Sequence, residues 1–237
     1  KVLPEQLPQE FENIQKEMDS LTVEQDLEAL REQVLKARSQ YEEAAKELSL
    51  KRAQSARELS KKVTDSMQNL SMQGGQFEVK LQPCSASKTG SETAEFLVAG
   101  HPGVKPQPLT KVASGGELAR ISLAITVNTV ESAPVPTLIF DEVDSGIGGA
   151  VAETVGKYLR QLAADKQVLC VTHLPQVASQ AHHHYQVSKQ VSSGQTRSHI
   201  QRLDDAERVS EVARMLGGIS ITSATKRAAQ DLIESAR

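Results

Sequence analysis

The stretch from Glu24 to Met72 contains neither proline nor glycine, so no residue in it interrupts a helix. At 1.5 Å per residue, a helix over this stretch would extend roughly 70 Å. Its apolar residues recur at helical spacing in one narrow stripe: Leu27, Leu30, Val34, Tyr41, Ala45, Leu48, Leu59, Val63, Met67 and Leu70. A single stripe on so long and charged a helix requires a partner helix. The sequence therefore predicts a coiled-coil arm, with an ordinary bundle helix as the alternative.

A shorter helix and a domain boundary flank this stretch. Apolar residues over 11–21 also follow helical spacing, and Thr22 with Gln25 forms a candidate capping box that would start the long helix. Residues 1–73 carry 11 basic and 14 acidic side chains, whereas residues 74–237 carry 16 of each. Because the charge density falls where two consecutive glycines end the helical pattern, we predict an arm over residues 1–73 and a second domain over residues 74–237.

After this boundary the pattern changes to strands that alternate with helices. Residues 77–81 alternate between apolar and charged, and a second strand is predicted over 92–99. The elements predicted next are a helix over 114–130, a strand over 136–140, a helix over 149–163, a strand over 168–172, a short helix from Pro175, a hairpin over 183–203 and two helices on either side of Gly217-Gly218. Apolar strands that alternate with helices are typical of an α/β fold with buried parallel strands.

Composition excludes several classes of protein. No apolar run approaches the roughly eighteen residues of a membrane-spanning helix, and no secretory leader precedes the first element. The two cysteines, Cys84 and Cys170, are too few for a disulfide framework or a zinc site, which favours a reducing cytoplasm. Aromatic residues make up 3% of the chain, so a base-stacking surface for single-stranded nucleic acid is not expected. The chain starts with Lys1, and we expect it to be part of a longer protein.

The first motif is Ser114-Gly115-Gly116-Glu117, which opens a predicted helix. Serine followed three residues later by glutamate is a capping box, so a well-started helix is one interpretation. The two glycines are poor helix formers, yet they let a ligand approach the backbone N–H groups at the positive end of the helix. A phosphate group is the anion that such a helix start suits.

The second motif follows an apolar strand, Thr137–Phe140, which ends in Asp141 and Glu142. In open α/β sheets, ligands bind at the carboxyl ends of the strands. Nucleotide hydrolysis uses two carboxylates, one to order Mg²⁺ on the phosphates and one to position and deprotonate the attacking water. A solvated acidic loop is the alternative. An acidic, glycine-rich turn over Asp144–Gly149 leads into the next helix.

The third motif is a second apolar strand, Val168–Thr172, that ends in His173. A histidine at this position can contact the terminal phosphate of a nucleotide, and a structural histidine is the alternative. Within the strand, Cys170 is interpreted as a small buried hydrophobic residue and not as a nucleophile.

The order of these motifs is more specific than any one of them. It resembles the signature motif, Walker B motif, D-loop and switch histidine in the C-terminal half of an ABC-type ATPase head. Ser114–Glu117, Phe140–Ile147 and Thr172–Ala178 together resemble the SMC-like ATPases that act in bacterial DNA repair. The resemblance covers nearly the whole chain and is strongest over residues 109–180.

The resemblance implies a fold, ligands and residue roles. The fold would be α/β, the C-terminal lobe of an ABC/SMC-like P-loop ATPase head with a long α-helical coiled-coil arm at its N-terminus. Two heads would form a homodimer that sandwiches ATP and Mg²⁺. By analogy, Ser114, Gly115 and Gly116, with Glu117 of the same motif, would meet the γ-phosphate bound to the partner head. Asp141 would hold Mg²⁺, and Glu142 would activate water. Asp144 would cross the dimer interface, and His173 would contact the γ-phosphate.

The resemblance also implies DNA as a partner. The family acts at DNA double-strand breaks and links DNA during recombinational repair, which would place the protein at the nucleoid in a bacterial cytoplasm. Because aromatic residues are few, contact with DNA ends or duplex is expected mainly through the charged phosphate backbone of the DNA. The basic stretch Lys51–Lys62 is interpreted as a solvated face of the arm, with DNA contact as the alternative. No membrane partner is expected.

The phosphate-binding loop of this family does not occur in the sequence. The nearest match to G-x-x-x-x-G-K-[ST], at Gly156-Lys157, has Val151 in place of the first glycine and Tyr158 after the lysine. We therefore expect an N-terminal lobe of the same protein to supply this loop. The 237-residue chain alone should bind ATP weakly and hydrolyse none.

Two other functions stay open from the sequence. A dimerising coiled-coil scaffold with a vestigial nucleotide site would not need the adjacent carboxylates of the second motif. A transporter subunit would not carry a long arm before the signature motif, and transporter signatures usually have leucine at the position of Ala113 and glutamine at that of Glu117. The run His182–His184 alternates between the faces of a predicted strand, so the three side chains cannot bind one metal ion.

Overall fold

The computed structural model describes residues 3–21, 24–112, 114–130, 135–192, 195–218 and 220–236. The helices are α1 (Leu7–Leu21), α2 (Glu24–Asn69), α3 (Gly115–Thr129), α4 (Gly149–Leu162), α5 (Pro175–Ala178), α6 (Asp205–Gly217) and α7 (Ser223–Ser235). The strands are β1 (Gln76–Ser87), β2 (Gly90–Ala99), β3 (Gln107–Pro108), β4 (Thr137–Phe140), β5 (Gln167–Cys170), β6 (Tyr185–Ser192) and β7 (Gln195–Arg202). Short 3₁₀ turns cover Pro4–Gln6 and Leu109–Lys111.

The two N-terminal helices follow the predicted pattern. α1 and α2 are separate, and the capping box assigned to Thr22 lies outside the described residues. α2 ends at Asn69, slightly before the predicted end at Met72. There the N–H groups of Leu70 and Met72 both bond the carbonyl oxygen of Met67, and Ser71 takes a positive φ of 64°. The chain therefore leaves the helix in a tight turn before β1.

Contacts divide the chain into two units. The first contains the residues up to Gln54 together with Pro83–Thr93, and the second contains Ser55–Gln82 together with the residues from Ala94 onward. Each unit thus includes part of α2 and part of the β1–β2 pair. The division into an arm and a second domain at residue 73 stays a prediction.

In the first unit, the turn between β1 and β2 packs on α2. The Ser87 N–H donates to Tyr41 Oη at 3.1 Å. Gly90 has a φ of 98°, and a Cβ atom there would lie 3.1 Å from Leu48 Cδ2. Nearer the start of α2, Leu30 and Val34 are exposed. The predicted apolar stripe is therefore covered at this turn, while its earlier residues face solvent.

The core of the second unit joins the end of α2 to the elements that carry the three motifs. β1, β2 and β3 form one sheet in that order. Val63 and Met67 of α2 are fully buried in the same cluster as Phe77 of β1, Leu123 of α3 and Val155 of α4. This continuous packing holds α3 and α4 within one unit.

β4 and β5 form a parallel pair in which Ile139 lies beside Leu169. The alternate residues Leu138 and Val168 pack against the core. Ile139 and Leu169 belong to the opposite face and remain 72% and 46% exposed. The prediction of fully buried strands is therefore wrong for this face, because none of the described elements covers it. Parallel sheets are normally covered on both faces, and an apolar strand sequence does not show which segment provides the second cover.

The C-terminal elements form as predicted. β6 and β7 are an antiparallel hairpin, whose predicted turn at residues 193–194 lies outside the described residues. α6 and α7 pack together around Val212 and Ile233. α6 ends at Gly217, and Gly218 follows with a φ of 67°. Among the helices of the described ranges, none combines the length and apolarity needed to span a membrane.

Candidate functional site

The N-terminal turn of α3 carries the first motif. Ser114 has an extended backbone, and its Oγ accepts a hydrogen bond from the Glu117 N–H at 3.4 Å. The Glu117 carboxylate lies near the preceding loop, with Oε1 3.9 Å from His101 Nε2. Ser114 and Gly115 are exposed, whereas Gly116 is buried. Ser114 therefore forms its half of the predicted capping box, and the positive end of the helix remains open to a ligand.

The two glycines of this turn also let the loop after β4 come close. A Cβ atom on Gly115 would lie 2.9 Å from Glu142 Oε2, and one on Gly116 would lie 3.0 Å from the Ser145 carbonyl oxygen. At Gly116 the neighbour is backbone, so a side chain there would require the loop at Ser145 to move, whereas at Gly115 the neighbour is the flexible end of the exposed Glu142 side chain. The structure thus gives the glycines a second purpose and places the helix start beside a carboxylate of the second motif.

The loop after β4 presents the predicted pair of carboxylates. Asp141 and Glu142 are exposed, and Asp141 Oδ1 accepts the Glu142 N–H at 2.9 Å. Glu142 has a φ of 57°, a left-handed conformation that is unfavourable for a residue with a side chain. The Ser145 N–H donates to the Glu142 carbonyl oxygen at 3.0 Å, which closes the turn. Local hydrogen bonds therefore hold Glu142 in this conformation.

Asp144 turns inward and joins this loop to the end of β5. It is 2% exposed, and its Oδ2 accepts the Thr172 hydroxyl and, at 3.1 Å, the His173 N–H. His173 Nδ1 lies 3.4 Å from the same oxygen, while the side chain of His173 is 72% exposed. The carboxylate thus positions His173 at the edge of the site. The predicted contact of Asp144 across a dimer interface stays a prediction.

Arg120 is a residue of this region that sequence reasoning missed. It lies on α3, is 7% exposed, and its Nη1 donates to the Ser145 carbonyl oxygen at 2.7 Å. Burial lowers the pKa of the guanidinium, and the charge of Glu117 opposes this effect. The signal in the sequence was its spacing: Arg120 follows Gly116 by four residues and therefore shares its face of the helix.

Cys170 lies on the core face of β5. It packs against the central cluster as a partly buried residue. Burial, together with the negative charges of Asp144 and Asp141, raises the pKa of its thiol to about 12. This agrees with its interpretation as a hydrophobic residue of the strand.

The described residues contain no group of three or more His, Cys, Asp or Glu side chains that could hold a metal ion. Asp141 offers a carboxylate at the exposed end of β4, the ligand type that Mg²⁺ prefers. Mg²⁺ usually keeps several ligands from water and from nucleotide phosphates. The donor set at Asp141 therefore suits a magnesium ion that arrives with a nucleotide.

Comparison with known proteins places the chain in a family. It is 47% identical over 211 residues to a protein of Xylella fastidiosa (strain 9a5c) named DNA repair protein RecN, covering 88% of this chain and 38% of the relative. It is 44% identical over 238 residues to the protein of that name from Vibrio cholerae, covering 99% and 43%. The chain belongs to the RecN family. It spans about two fifths of the length of these RecN relatives. No family model matches it.

Solved structures confirm the predicted fold. The Smc head domain with a coiled coil and joint from Pyrococcus yayanosii matches 86% of the chain with a TM-score of 0.58 at 20% identity, over 37% of its own length. The Smc head domain with an extended coiled coil from Pyrococcus furiosus matches 86% of the chain with a TM-score of 0.54 at 19% identity, over 49% of its own length. This RecN-family chain therefore has the fold of an SMC-type head with a helical arm.

Proposed function

We propose that the chain is the C-terminal half of an ATP-dependent protein that repairs DNA double-strand breaks by recombination. Two such heads dimerise around ATP and hydrolyse it to control how DNA is linked. The observation that supports this most directly is the proximity of Gly115 to Glu142: a Cβ atom on the glycine would lie 2.9 Å from Glu142 Oε2. The helix start, which meets the nucleotide of the partner head, and the carboxylate, which acts on the nucleotide of its own head, thus lie beside each other, so one surface of the head can serve both sites of the dimer.

Each exposed group of the site suits one task in phosphoryl transfer. The open N-terminal turn of α3 at Ser114–Glu117 stabilises the charge of the terminal phosphate. The exposed Glu142 carboxylate orients the attacking water and accepts its proton. His173, held by Asp144, donates a hydrogen bond to the phosphate. In the dimer, the helix start of one head meets the nucleotide that is bound to the other.

Asp141 is the residue that would hold magnesium. Its Oδ1 already accepts the Glu142 N–H at 2.9 Å, which fixes the direction of the carboxylate. When bound, Mg²⁺ neutralises part of the charge on the nucleotide phosphates. Asp141 and Glu142 thereby divide two tasks between adjacent residues.

The remainder of the protein supplies what this chain does not contain. The sequence has no G-x-x-x-x-G-K-[ST] motif, so the phosphate-binding loop belongs to an N-terminal lobe. The uncovered apolar face of Ile139 and Leu169 supports this arrangement, because parallel sheets are normally covered on both faces. We therefore expect the chain alone to bind ATP weakly and to hydrolyse none.

DNA is the proposed macromolecular partner. The relatives carry the name DNA repair protein, which is the support for this assignment. Because only 3% of its residues are aromatic, the chain is expected to contact DNA ends or duplex through the charged phosphate backbone of the DNA and not by base stacking. The proposed location is the bacterial cytoplasm, in association with the nucleoid.

Glu142→Gln in the full-length protein tests the catalytic proposal. Because glutamine cannot accept the proton of the attacking water, ATP turnover should fall by at least about 100-fold. ATP-bound dimers should accumulate, as measured by light scattering after gel filtration with ATP. The matched control is Glu153→Gln on α4, which removes only a surface ion pair with Lys157 and should leave turnover unchanged. Unchanged turnover in Glu142→Gln would overturn the assignment of Glu142 as the residue that activates water, and absent turnover in the wild-type protein would favour the scaffold function.

A further inference from the structure

The outer edge of β1 is covered by a helix and not by another strand. Among the described residues, β1 is the first strand of its sheet and pairs with β2 on one side. It is 12 residues long, about twice the usual length of a strand. The backbone N–H and C=O groups along such an edge can pair with a strand of another molecule unless something occupies them. The side chains of α2 that meet this edge therefore decide whether it is available.

Two hydroxyl groups of α2 make hydrogen bonds that a neighbouring strand would make. Thr64 Oγ1 accepts the Phe77 N–H at 3.0 Å and donates to the Phe77 carbonyl oxygen at 3.3 Å. A hydroxyl group can do both, because it carries one hydrogen and two lone pairs. Ser60 Oγ accepts the Val79 N–H at 2.9 Å. Alternate residues of an edge strand direct their backbone groups outward, and these bonds satisfy two successive residues of that set.

Gln68 completes the pattern where the chain enters β1. Its Nε2 donates to the Gly75 carbonyl oxygen at 3.0 Å, and its Oε1 accepts the Gly74 N–H at 2.7 Å. A side-chain amide offers a donor and an acceptor, as a peptide group does. We call Ser60, Thr64 and Gln68 the polar stripe of α2; all three residues are partly buried.

The spacing of the polar stripe matches the spacing of the edge. Its members are four residues apart along α2, an advance of about 6 Å at 1.5 Å per residue. The residues of β1 that they meet are two apart, an advance of about 6.7 Å. Apolar packing does not require this match, since Val63 and Met67 fill the core from neighbouring positions of the helix. Hydrogen bonds at three successive steps therefore fix α2 at one position along β1.

We propose that the polar stripe stands in for a strand and keeps the edge of β1 from pairing with a second copy of the chain. Without the hydroxyl acceptors, N–H groups of the edge would be left unsatisfied under the helix, which costs free energy and favours opening of the helix away from the strand. An open edge of this length is a template for strand pairing. A second copy is the expected occupant, because two identical edges can pair antiparallel about a twofold axis. This cover operates whether or not the protein hydrolyses ATP.

Amide hydrogen exchange in the full-length protein tests the cover. Thr64→Val keeps the shape of the side chain and removes the hydroxyl, so the Phe77 amide should exchange at least about tenfold faster, as measured on peptides from residues 74–82. Thr64→Ser keeps a hydroxyl and should retain most of the protection. The matched control is Thr154→Val on α4, where the hydroxyl donates within its own helix to the Ala150 carbonyl oxygen at 3.0 Å. It should leave exchange in β1 unchanged, and unchanged exchange in Thr64→Val would overturn the proposal.

Light scattering without nucleotide tests what the cover prevents. The triple variant Ser60→Ala, Thr64→Val, Gln68→Met should at least double its average mass over a range of concentrations in which the mass of the wild type stays constant. The control for lost stability is Val63→Ala, which weakens the packing of the same helix and keeps the polar stripe; it should retain the wild-type mass. If the triple variant does not fold, Thr64→Val is measured over the same concentrations with the same expectation.

Two results of the scattering experiment would overturn the proposal. A variant that exchanges faster in β1 but keeps the wild-type mass would show that the stripe does not prevent pairing with a second copy. Equal association in Val63→Ala would show that lost stability, and not the opened edge, is the cause. Neither measurement uses ATP, so a protein without ATPase activity would contradict the proposed function and leave these outcomes unaffected.

Discussion

At the scale of single residues, the site depends on side chains whose environment the sequence does not reveal. Asp144 lies in an acidic, glycine-rich turn, a context typical of exposed residues, yet it is 2% exposed. It is buried because the end of β5 brings a hydroxyl and an N–H group to its carboxylate. The exposed neighbours Asp141 and Glu142 remain available for a ligand. One loop thus divides its carboxylates between structure and proposed chemistry.

The two cysteines should differ in reactivity. Burial raises the pKa of Cys170 to about 12, so at pH 8 almost none of it is thiolate, whereas Cys84 is exposed. An alkylating reagent at pH 8 should therefore modify Cys84 at least about tenfold faster, as measured by peptide mass spectrometry. Since the pKa is raised, labelling of Cys170 should stay slow up to about pH 10. Equal rates at pH 8 would show that the core face of β5 is open.

At the scale of elements, α2 shows that one sequence pattern can have two structural outcomes. Its apolar stripe runs along the whole helix, but Val34 is 64% exposed and Val63 is fully buried. The spacing predicts which face of a helix is apolar and does not predict where along the helix a neighbour covers that face. In the second unit the covering elements are β1 and α3, which come later in the chain.

A matched pair of substitutions in α2 measures this difference. Val63→Ala should lower the free energy of unfolding by about 2 kcal/mol, because it removes two buried methyl groups and leaves a cavity. Val34→Ala is the same substitution on the same helix at an exposed site. It should alter the free energy of unfolding by less than about 0.5 kcal/mol. Urea denaturation followed by circular dichroism compares them. Similar losses would mean that the exposed part of the stripe is covered in solution.

At the scale of the whole molecule, the main feature is an α/β unit with one open sheet face. Ile139 and Leu169 lie side by side on a parallel pair and are exposed. Exposed apolar faces of this kind mark places where other chain segments bind. The chain spans about two fifths of the length of its RecN relatives. We propose that an N-terminal lobe of the same protein covers this face.

Mixing the chain with a separately produced N-terminal lobe tests this proposal. The two parts should co-purify and restore DNA-sensitive ATP turnover, while the chain alone should show none. Ile139→Asp places a charge on the open face and should weaken co-purification at least about tenfold. Val104→Asp, at an exposed loop position, is the control and should have no effect. Co-purification that tolerates Ile139→Asp would show that the lobe binds elsewhere, and absent turnover in the unmutated mixture would favour a scaffold.

Much of the fold was predictable because its signals are local. The helix start at Ser114 and the helix end at Gly217 follow from residue types that act over a few positions, and most helices and strands lie within a few residues of their predictions. β1 runs six residues beyond its predicted end at residue 81, and β3 was not predicted. The order of motifs was also sufficient to indicate the RecN family's head fold. The individual roles of the site residues stay predictions.

Local sequence patterns were enough to predict most helices and strands, their order and the residue types at the ends of β4 and β5. Tertiary structure alone decided that Asp144 is buried, that Arg120 holds the Ser145 carbonyl oxygen and that Ile139 faces solvent. The physical reason is the range of the interactions. Capping and periodicity depend on neighbours along the chain, whereas burial and long-range hydrogen bonds depend on segments that only folding brings together.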